Sequence, residues 1–307
     1  MVPTATDDID EGARTAKPRL TRRRLITGAV GLVGLTASAT GAYAGAIEPF
    51  GLIVTPYAFT PPGWPAGRKL TISVIADLHA GGPDMTLPHV AHVVDTANLL
   101  HSDLVVLLGD FKAWYRFKTE PVADEDWAAE LARLQAPLGT WAILGNHDWW
   151  HDLAGVRNVL ANVHIPILEN DAVLLGPPGQ QFWLAGLGDQ LAHWIGRGQF
   201  RGVDDLPGTM ARIKTDDPVL LLAHEPDIFP RVPERVALTL AGHTHGGQIR
   251  LPLIWPHFVP SQYGARFAYG HIVESDRHMI VSGGLGTSII PARFGVPPEI
   301  VHLTLGA

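Results

Sequence analysis

Short, almost uninterrupted apolar runs recur along this chain, and they constrain its fold more than any other feature of the sequence. Two segments with helical spacing lie between some of them, at Pro88–Leu100 and Asp124–Leu134. Runs that are apolar on both faces of a strand need cover on both sides, so the pattern predicts an α/β protein. The predicted strands are Leu70–Ala76, Leu104–Leu108, Thr140–Leu144, Gln181–Leu187, Val219–Ala223, Val236–Ala241 and Met279–Ser282.

Five of these runs are followed immediately by side chains that can bind a metal ion. In α/β folds, ligands gather where strands end and loops begin, so we expect the five loops to meet at one edge. The glycines among them let the backbone turn sharply and approach a ligand closely. One such loop is unremarkable, but five in series predict a metal site. The loops are Asp77-Leu78-His79, Gly109-Asp110, Gly145-Asn146-His147-Asp148, Ala223-His224 and Gly242-His243-Thr244-His245.

The composition excludes some kinds of metal ligand and some kinds of partner. The chain has no cysteine, which excludes disulfides, thiolate nucleophiles and cysteine-ligated zinc, so any metal must be bound by nitrogen and oxygen. It has 15 histidines, none before position 79. The net charge is -7, and no run of Lys or Arg occurs beyond residue 24. Broad nucleic-acid binding needs clustered positive charge, so we expect no nucleic-acid partner.

The N-terminus predicts a targeting segment. Arg22 and Arg23 precede an uncharged stretch rich in Gly, Ala and Thr, which resembles a twin-arginine export signal. Ala42-Tyr43-Ala44 has the small-x-small pattern of a cleavage site, and the stretch is also long enough for a membrane anchor. Cleavage after Ala44 and retention as an anchor are both open. Either would use the twin-arginine export machinery and place the remainder on the periplasmic or other extracytoplasmic side.

The domain boundaries follow from these segments. Residues 1–46 form the predicted signal or anchor. Residues 47–68 are rich in Pro and Gly and predict a linker. Residues 69–307 contain all the predicted strands and would form a single folded domain, for which the 46% apolar composition of the chain provides a sufficient core.

The order of the strand-end motifs, D-x-H, G-D, G-N-H-D, H and G-H-x-H, resembles the calcineurin-like metallophosphoesterases over about residues 70–305. The resemblance implies the metallo-dependent phosphatase fold, an α/β sandwich of two sheets flanked by helices. It also implies a binuclear-metal hydrolase of phosphoester or pyrophosphate bonds. Segments 242–248 and 284–287 are similar to a bacterial exported or membrane-associated branch, some of whose members hydrolyse UDP-2,3-diacylglucosamine-type lipid precursors.

Carried over residue by residue, the resemblance implies two divalent metal ions, of manganese, iron or zinc. Asp110 would bridge both ions, a position that requires a carboxylate because a neutral ligand would leave two cations unscreened. A hydroxide shared by the ions would attack phosphorus in line with the leaving group. The first ion would be bound by Asp77, His79, Asp110 and His245, and the second by Asp110, Asn146, His224 and His243.

This assignment leaves His147 free of metal, and we expect it to be the general acid that protonates the leaving oxygen. Asp148 is a second catalytic candidate that could orient the imidazole, although adjacent side chains often point apart. Many family members have Asp or Asn three residues after the bridging Asp, as support for a histidine. This chain has Ala113 there, so the usual partner of His147 is missing.

Other residues near the motifs have two interpretations each. Arg293 could pair with a phosphate or belong to a structural loop. Asp189 and His193 follow a strand and could line a cleft or only pack near it. Trp149 and Trp150 could grip a leaving group or anchor their loop.

Two alternatives to the leading function stay open. One is a catalytically weak or inactive metal-binding scaffold of the same fold, against which the complete ligand set argues. The other is a phosphodiesterase acting on nucleotides. The predicted export and the resemblance to an exported or membrane-associated branch of the family both bear on the phosphate-containing substrate. They favour a membrane-lipid or envelope precursor over a cytosolic small molecule.

Overall fold

The computed structural model of the chain describes residues 22–113, 120–251 and 259–307. Its helices are α1 (Arg22–Ala46), α2 (Leu87–Leu99), α3 (Asp124–Leu131), α4 (Asn146–His151), α5 (Leu153–Asn162) and α6 (Leu206–Arg212). Its strands are β1 (Ile53–Phe59), β2 (Leu70–Ile75), β3 (Leu104–Leu107), β4 (Thr140–Ala142), β5 (Asp171–Leu175), β6 (Phe182–Gly186), β7 (His193–Gly196), β8 (Gln199–Arg201), β9 (Val219–Leu222), β10 (Val236–Ala241), β11 (Gly270–Glu274), β12 (Arg277–Val281) and β13 (Glu299–Leu305). Short 3₁₀ helices cover Glu48–Phe50, Pro226–Arg231, His245–Gly247 and Gly264–Phe267.

Of the predicted targeting segment 1–46, residues 1–21 lie outside the described residues, and the remainder forms helix α1. The chain separates into a unit that ends at Gly41 and a compact unit from Ala42 to Ala307. The folded unit therefore begins before the predicted boundary at residue 69. Within the described ranges, no helix combines the length and apolar character needed to cross a membrane. Export through the twin-arginine machinery and a periplasmic location stay predictions.

The predicted linker at 47–68 is wrong in part, because the segment contains strand β1. This strand pairs in parallel with β13, from Ile53 opposite Glu299 to Phe59 opposite Leu305. It is at the edge of its sheet, where Pro56 can be accommodated because one side of the strand needs no ladder hydrogen bond. The proline and glycine content predicted a connection, but pairing with the C-terminal strand decides the structure.

The larger sheets are both mixed. One has the strand order β1-β13-β2-β3-β4 and the other β11-β12-β10-β9-β6-β5, while β7 and β8 form a separate antiparallel hairpin. Strands β2, β3 and β4 run parallel in the first sheet. Strands β6, β9, β10 and β12 run parallel in the second. The parallel runs bring the carboxyl ends of the motif-bearing strands to common edges.

The two sheets pack face to face with helices outside, which confirms the predicted sandwich. Strand β3 shows the layering residue by residue. Leu104 and Val106 pack between the sheets, whereas Val105 and Leu107 pack in the outer layer with α2, α3 and α5. On the far side of the second sheet, Leu221 packs against the 3₁₀ segment at 226–231. Both faces of the central strands are buried, which explains why the sequence is apolar without alternation.

Candidate metal centre and cleft

The residues assigned to the first metal ion converge on the bridging Asp110. The Nε2 atoms of His79 and His245 are 3.2 Å apart. His79 Nε2 is 3.4 Å from Asp110 Oδ2, and His245 Nε2 is 3.7 Å from Asp77 Oδ1. All four residues are buried. Two imidazoles and two carboxylates therefore face one small volume from three separate loops.

The residues assigned to the second ion also lie near Asp110. His224 Nε2 is 3.3 Å from Asp110 Oδ2 and 4.0 Å from Asp77 Oδ1. His243 Nδ1 is 2.9 Å from Asn146 Oδ1, so these two candidate ligand atoms also face each other. Asp110 Oδ2 thus lies within 3.4 Å of an imidazole from each set, and Asp77 Oδ1 also faces both sets. The bridging role of Asp110 stays a prediction.

The backbone at these positions is unusual for residues with side chains. Five candidate ligands have φ in the left-handed region, a conformation that costs roughly 1–2 kcal/mol for each residue other than glycine. Strain of this kind is retained where the surrounding structure requires a particular side-chain direction, most often at functional sites. The residues are Asp77 (52°), His79 (44°), Asp110 (57°), His243 (68°) and His245 (49°).

Backbone carbonyls select the tautomer of two candidate imidazole ligands. His224 Nδ1 is 2.6 Å from the Leu108 carbonyl oxygen, and His79 Nδ1 is 3.2 Å from that of Lys112. A carbonyl can only accept, so each Nδ1 donates and each neutral ring keeps a free lone pair on Nε2. His224 Nε2 is buried and faces the carboxylate of Asp110, 3.3 Å from Oδ2. Donation from the other ring nitrogen is the usual support of a metal-bound histidine.

The pKa values of the clustered side chains indicate that this site would be stabilised by added positive charge. Burial raises the pKa of Asp77 to about 7, against the lowering effect of His224. Burial by itself would raise the pKa of Asp110, but His224 and His147 hold it well below its usual value. Burial would lower the pKa of His224, yet Asp110 raises it well above the usual range. Burial lowers the pKa of His79 to about 3 and lowers those of His243 and His245, so these rings are neutral, as metal ligands must be. Buried carboxylates that hold a proton on His224 would equally stabilise divalent cations, so the donor set fits two metal ions.

Gly145 keeps the centre of this cluster open. A Cβ atom at Gly145 would lie 2.3 Å from Asp110 Oδ1 and 2.7 Å from His224 Nε2. We expect Gly145→Ala to push these two groups apart and to reduce metal content and activity at least about tenfold. Metal analysis of the purified variant measures this. Gly51→Ala is the control, because its Cβ would meet one oxygen at 3.4 Å; equal behaviour of the two variants would contradict the prediction.

The prediction that Asp148 orients the ring of His147 is wrong, because its carboxylate accepts hydrogen bonds from the backbone instead. Its Oδ2 accepts hydrogen bonds from the backbone N–H groups of Asp110 and Gly145, and its Oδ1 accepts one from Phe111, all at 2.9 Å. Burial raises the pKa of Asp148 to about 7 despite these donors. The carboxylate ties together the two loops that carry Asp110 and Asn146, and it acts on the site through the backbone.

His147 lies at the edge of the cluster with its Nε2 3.3 Å from the Ser288 hydroxyl. Its Nδ1 is buried without a hydrogen-bond partner in the ranges that the structure describes. Burial lowers the pKa of His147, against the raising effect of Asp110. Ser288 thus contacts the ring that lacks the usual family partner at Ala113. The sequence contained little signal for this role, because Ser288 lies 141 residues after His147 and outside the strand-end motifs.

For most of the residues that had two possible roles, the structure decides between them. Arg293 is completely buried and donates to the carbonyls of Gly283, Gly286 and Val296, and its Nη2 lies 3.3 Å from Nδ1 of His245, so it supports a candidate metal ligand from behind. Asp189 is buried beside Glu225. His193 is exposed, and its ring meets Trp149 edge-on at 5.2 Å.

The metal cluster opens into a cleft of about 760 Å³. Trp150 lines this cleft, with its ring 5.3 Å from that of His147. Much of the remaining wall is aliphatic and comes from Ile249, Leu251, Ile289 and Ile290. Gln248 fixes one side of the cleft by donating to the carbonyls of Ile290 and Ala292 and accepting from Ser288 N. The site therefore combines a charged floor with an apolar wall.

Two packed sheets with a buried Asp/His/Asn cluster at the strand ends suit a metal-dependent phosphoesterase, and comparison with known sequences shows this class. Residues 70–247 match the calcineurin-like phosphoesterase family. The uncharacterized metallophosphoesterase YkuE of Bacillus subtilis (strain 168) is 30% identical, covering 94% of this chain and 98% of that protein. Phosphodiesterase YaeI of Escherichia coli (strain K12) is 32% identical, covering 66% of this chain and 70% of that protein. The structure of a 5'-nucleotidase precursor from Thermus thermophilus has a TM-score of 0.45 and 14% identity, covering 77% of this chain and 54% of that chain.

The chain belongs to the calcineurin-like phosphoesterase family. It is thus a member of a family of metal-dependent phosphoesterases. Some relatives are longer, since the chain spans 60% of an uncharacterized metallophosphoesterase of Helicobacter pylori (strain ATCC 700392 / 26695).

Proposed function

We propose that this protein hydrolyses a phosphodiester or pyrophosphate bond in a substrate that carries an apolar group beside the phosphate. The observation that supports this most strongly is the position of the cluster at the floor of a cleft with a largely apolar wall. A charged phosphate would face the floor, and an apolar substituent would contact the wall. The name of the E. coli relative, a phosphodiesterase, favours a diester over a monoester.

Two divalent ions would be held by the two clusters that share Asp110. When bound, such ions activate water and neutralise charge on the phosphoryl oxygens. The chain positions Asp110 through the His147 N–H group, which donates to Asp110 Oδ1 at 2.8 Å. The His147 ring then faces the cleft beside Ser288, where it would donate a proton to the leaving oxygen.

A membrane-lipid or envelope precursor is the substrate class that suits this cleft. Its apolar chains would contact Trp150, Ile289 and Ile290, of which the two isoleucines are 67% and 48% exposed. Burial of these aliphatic side chains by a substrate would be favourable, at roughly 25 cal/mol per Å² of apolar surface. A nucleotide would leave much of this wall uncovered, which favours the lipid over the nucleotide as substrate.

The proposal is tested with the purified full-length protein, a soluble chromogenic phosphodiester and a lipid pyrophosphate. We expect chelator to abolish hydrolysis of both substrates and added manganese, iron or zinc to restore it. We expect a lower KM for the lipid substrate, because only that substrate covers the apolar wall. Folded, metal-loaded protein that cleaves neither substrate would contradict the proposed activity and favour the inactive scaffold. A lower KM for a nucleotide diester would contradict the lipid assignment.

His147→Ala is expected to lower kcat by about 10²–10⁴-fold for a substrate with an alkyl leaving group, because a general acid contributes on this scale. The acid role also predicts unchanged metal content, and this readout matters because the ring of His147 lies with His79 and Asp110 in a group that could hold an ion. A nitrophenolate leaves without protonation, so the loss should be much smaller for the chromogenic diester. Steady-state kinetics with both substrates measures the difference, and exposed His92 on α2 provides the control, His92→Ala. Equal losses for the two leaving groups would rule out the acid role.

A further inference from the structure

The β7–β8 hairpin presents a small apolar surface to solvent. Trp194 is 68% exposed, Ile195 56% and Phe200 37%. With Arg197 and Arg201, these residues form what we call the hairpin surface. Trp194 lies opposite Phe200 in the hairpin ladder, and Ile195 follows at the irregular position of β7, so three large apolar side chains are exposed on one short hairpin. Exposed apolar patches on a soluble protein often mark a contact with another molecule.

The hairpin surface is continuous with the mouth of the cleft. Phe200 stacks on Trp150, with ring centroids 5.1 Å apart and planes inclined by 20°. Trp150 in turn lines the cleft and donates from Nε1 to the Leu191 carbonyl at 2.9 Å. The hairpin is therefore held beside the active-site opening, and the two apolar surfaces meet at Trp150.

The charge of the hairpin differs from that of the chain. The sequence has no acidic residue from Gln190 to Val203, and it places Arg197 and Arg201 on the hairpin. The whole chain carries -7. In the part of the chain that the structure describes, no carboxylate forms an ion pair with either arginine. A local positive charge on an acidic protein is complementary to an anionic surface.

We propose that the hairpin surface docks on a lipid bilayer that contains anionic headgroups. Tryptophan prefers the interfacial region of a bilayer, and an aliphatic neighbour gains free energy by entering the acyl boundary. Arginines beside them would contact lipid phosphates. Docking in this way places the cleft mouth at the lipid surface. If the proposed lipid substrate is correct, the substrate then reaches the metal centre without fully leaving the bilayer.

The first test measures binding of the full-length protein to vesicles of phosphatidylcholine and phosphatidylglycerol by flotation. The double variant Trp194→Ser/Ile195→Ser should weaken binding at least about tenfold, because it removes two exposed apolar side chains that would be buried in the bilayer. Replacing both Arg197 and Arg201 with Gln should weaken it by about fivefold per arginine, and only on anionic vesicles. Leu99→Ser removes a 75% exposed leucine elsewhere and is the matched control.

Hydrolysis of the soluble chromogenic diester, measured on the same preparations, should be unchanged in all these variants. Failure of the proposed activity and failure of hairpin docking are therefore distinguishable. Vesicle binding that the hairpin variants leave unchanged would overturn the docking proposal. A dimer in sedimentation that is lost in the Trp194→Ser/Ile195→Ser variant would also overturn it, because the hairpin surface would then contact a second copy of the chain.

A second test locates the hairpin directly and is independent of any other membrane contact. Because the chain has no cysteine, Ile195→Cys and Leu99→Cys each introduce one labelling site. An environment-sensitive fluorophore at position 195 should brighten and shift to the blue on adding vesicles, and lipid-borne nitroxide should quench it. The label at position 99 should do neither. Protein that floats with vesicles while the label at position 195 keeps its spectrum in water would overturn the proposal.

Discussion

Replacing Asp110 with Asn is expected to reduce bound metal from two ions per chain to one or none and to lower kcat/KM more than about 100-fold. Asp110 Oδ2 is 3.4 Å from His79 Nε2 and 3.3 Å from His224 Nε2, so its charge is shared by both clusters. An amide can still accept the His147 N–H bond, but it cannot screen two cations. The loss should therefore come from the missing charge, with the fold retained.

Metal analysis and kinetics on the same sample test this expectation, with Asp103→Asn as the control. Asp103 is a carboxylate outside the cluster that accepts hydrogen bonds from Thr71 N and Oγ1. Its replacement should leave metal content and kcat/KM near the wild-type values. An Asp110→Asn protein that keeps two ions and full activity would show that the bridging role is wrong.

Asp148→Ala is expected to lower the free energy of unfolding by roughly 3 kcal/mol or more and to abolish activity. The substitution leaves the N–H groups of Asp110, Phe111 and Gly145 without their acceptor, at about 1–3 kcal/mol for each unpaired buried group. The two loops that carry Asp110 and Asn146 would then separate, and the candidate ligands would move with them. Urea denaturation in the presence of chelator measures the stability term without the contribution of bound metal.

Asp152→Ala provides the comparison for this effect. Asp152 caps α5 through a hydrogen bond from Gly155 N to its side chain and is exposed. Loss of such a cap costs about 1 kcal/mol, and metal content should not change. If the two variants lose the same stability and Asp148→Ala stays active, the carboxylate of Asp148 does not hold the loops together.

The sequence was sufficient to predict the core of the sandwich. The apolar run at Leu104–Leu108 corresponds to β3 within one residue, because both of its faces are buried and no polar residue interrupts it. The same logic predicted Asp110 at the sheet edge, two residues after this run, and the structure places it there beside His79 and His224. Strand β1 was not predicted, because Pro56 and the neighbouring glycines hide an edge strand that depends on pairing with β13.

The site residues could be predicted where the residue type alone indicates metal binding. They could not be predicted where the role depends on which atoms are in contact. His79, His224 and Asp110 have side chains that suit a metal, and the structure brings them together. The role of Asp148 depends on which atoms it contacts, and spacing alone could not show that it accepts only backbone N–H groups. Ser288 reaches His147 from a loop 141 residues later in the chain, a contact that no local pattern encodes.

The most direct test of the binuclear centre is metal stoichiometry measured together with phosphodiester hydrolysis on the same full-length protein. We expect two divalent ions per chain, simultaneous loss of metal and activity during chelation, and recovery of both on adding metal back. Full activity in protein stripped of metal, or a stoichiometry that stays at one ion in the active enzyme, would contradict a centre built on two clusters that share Asp110.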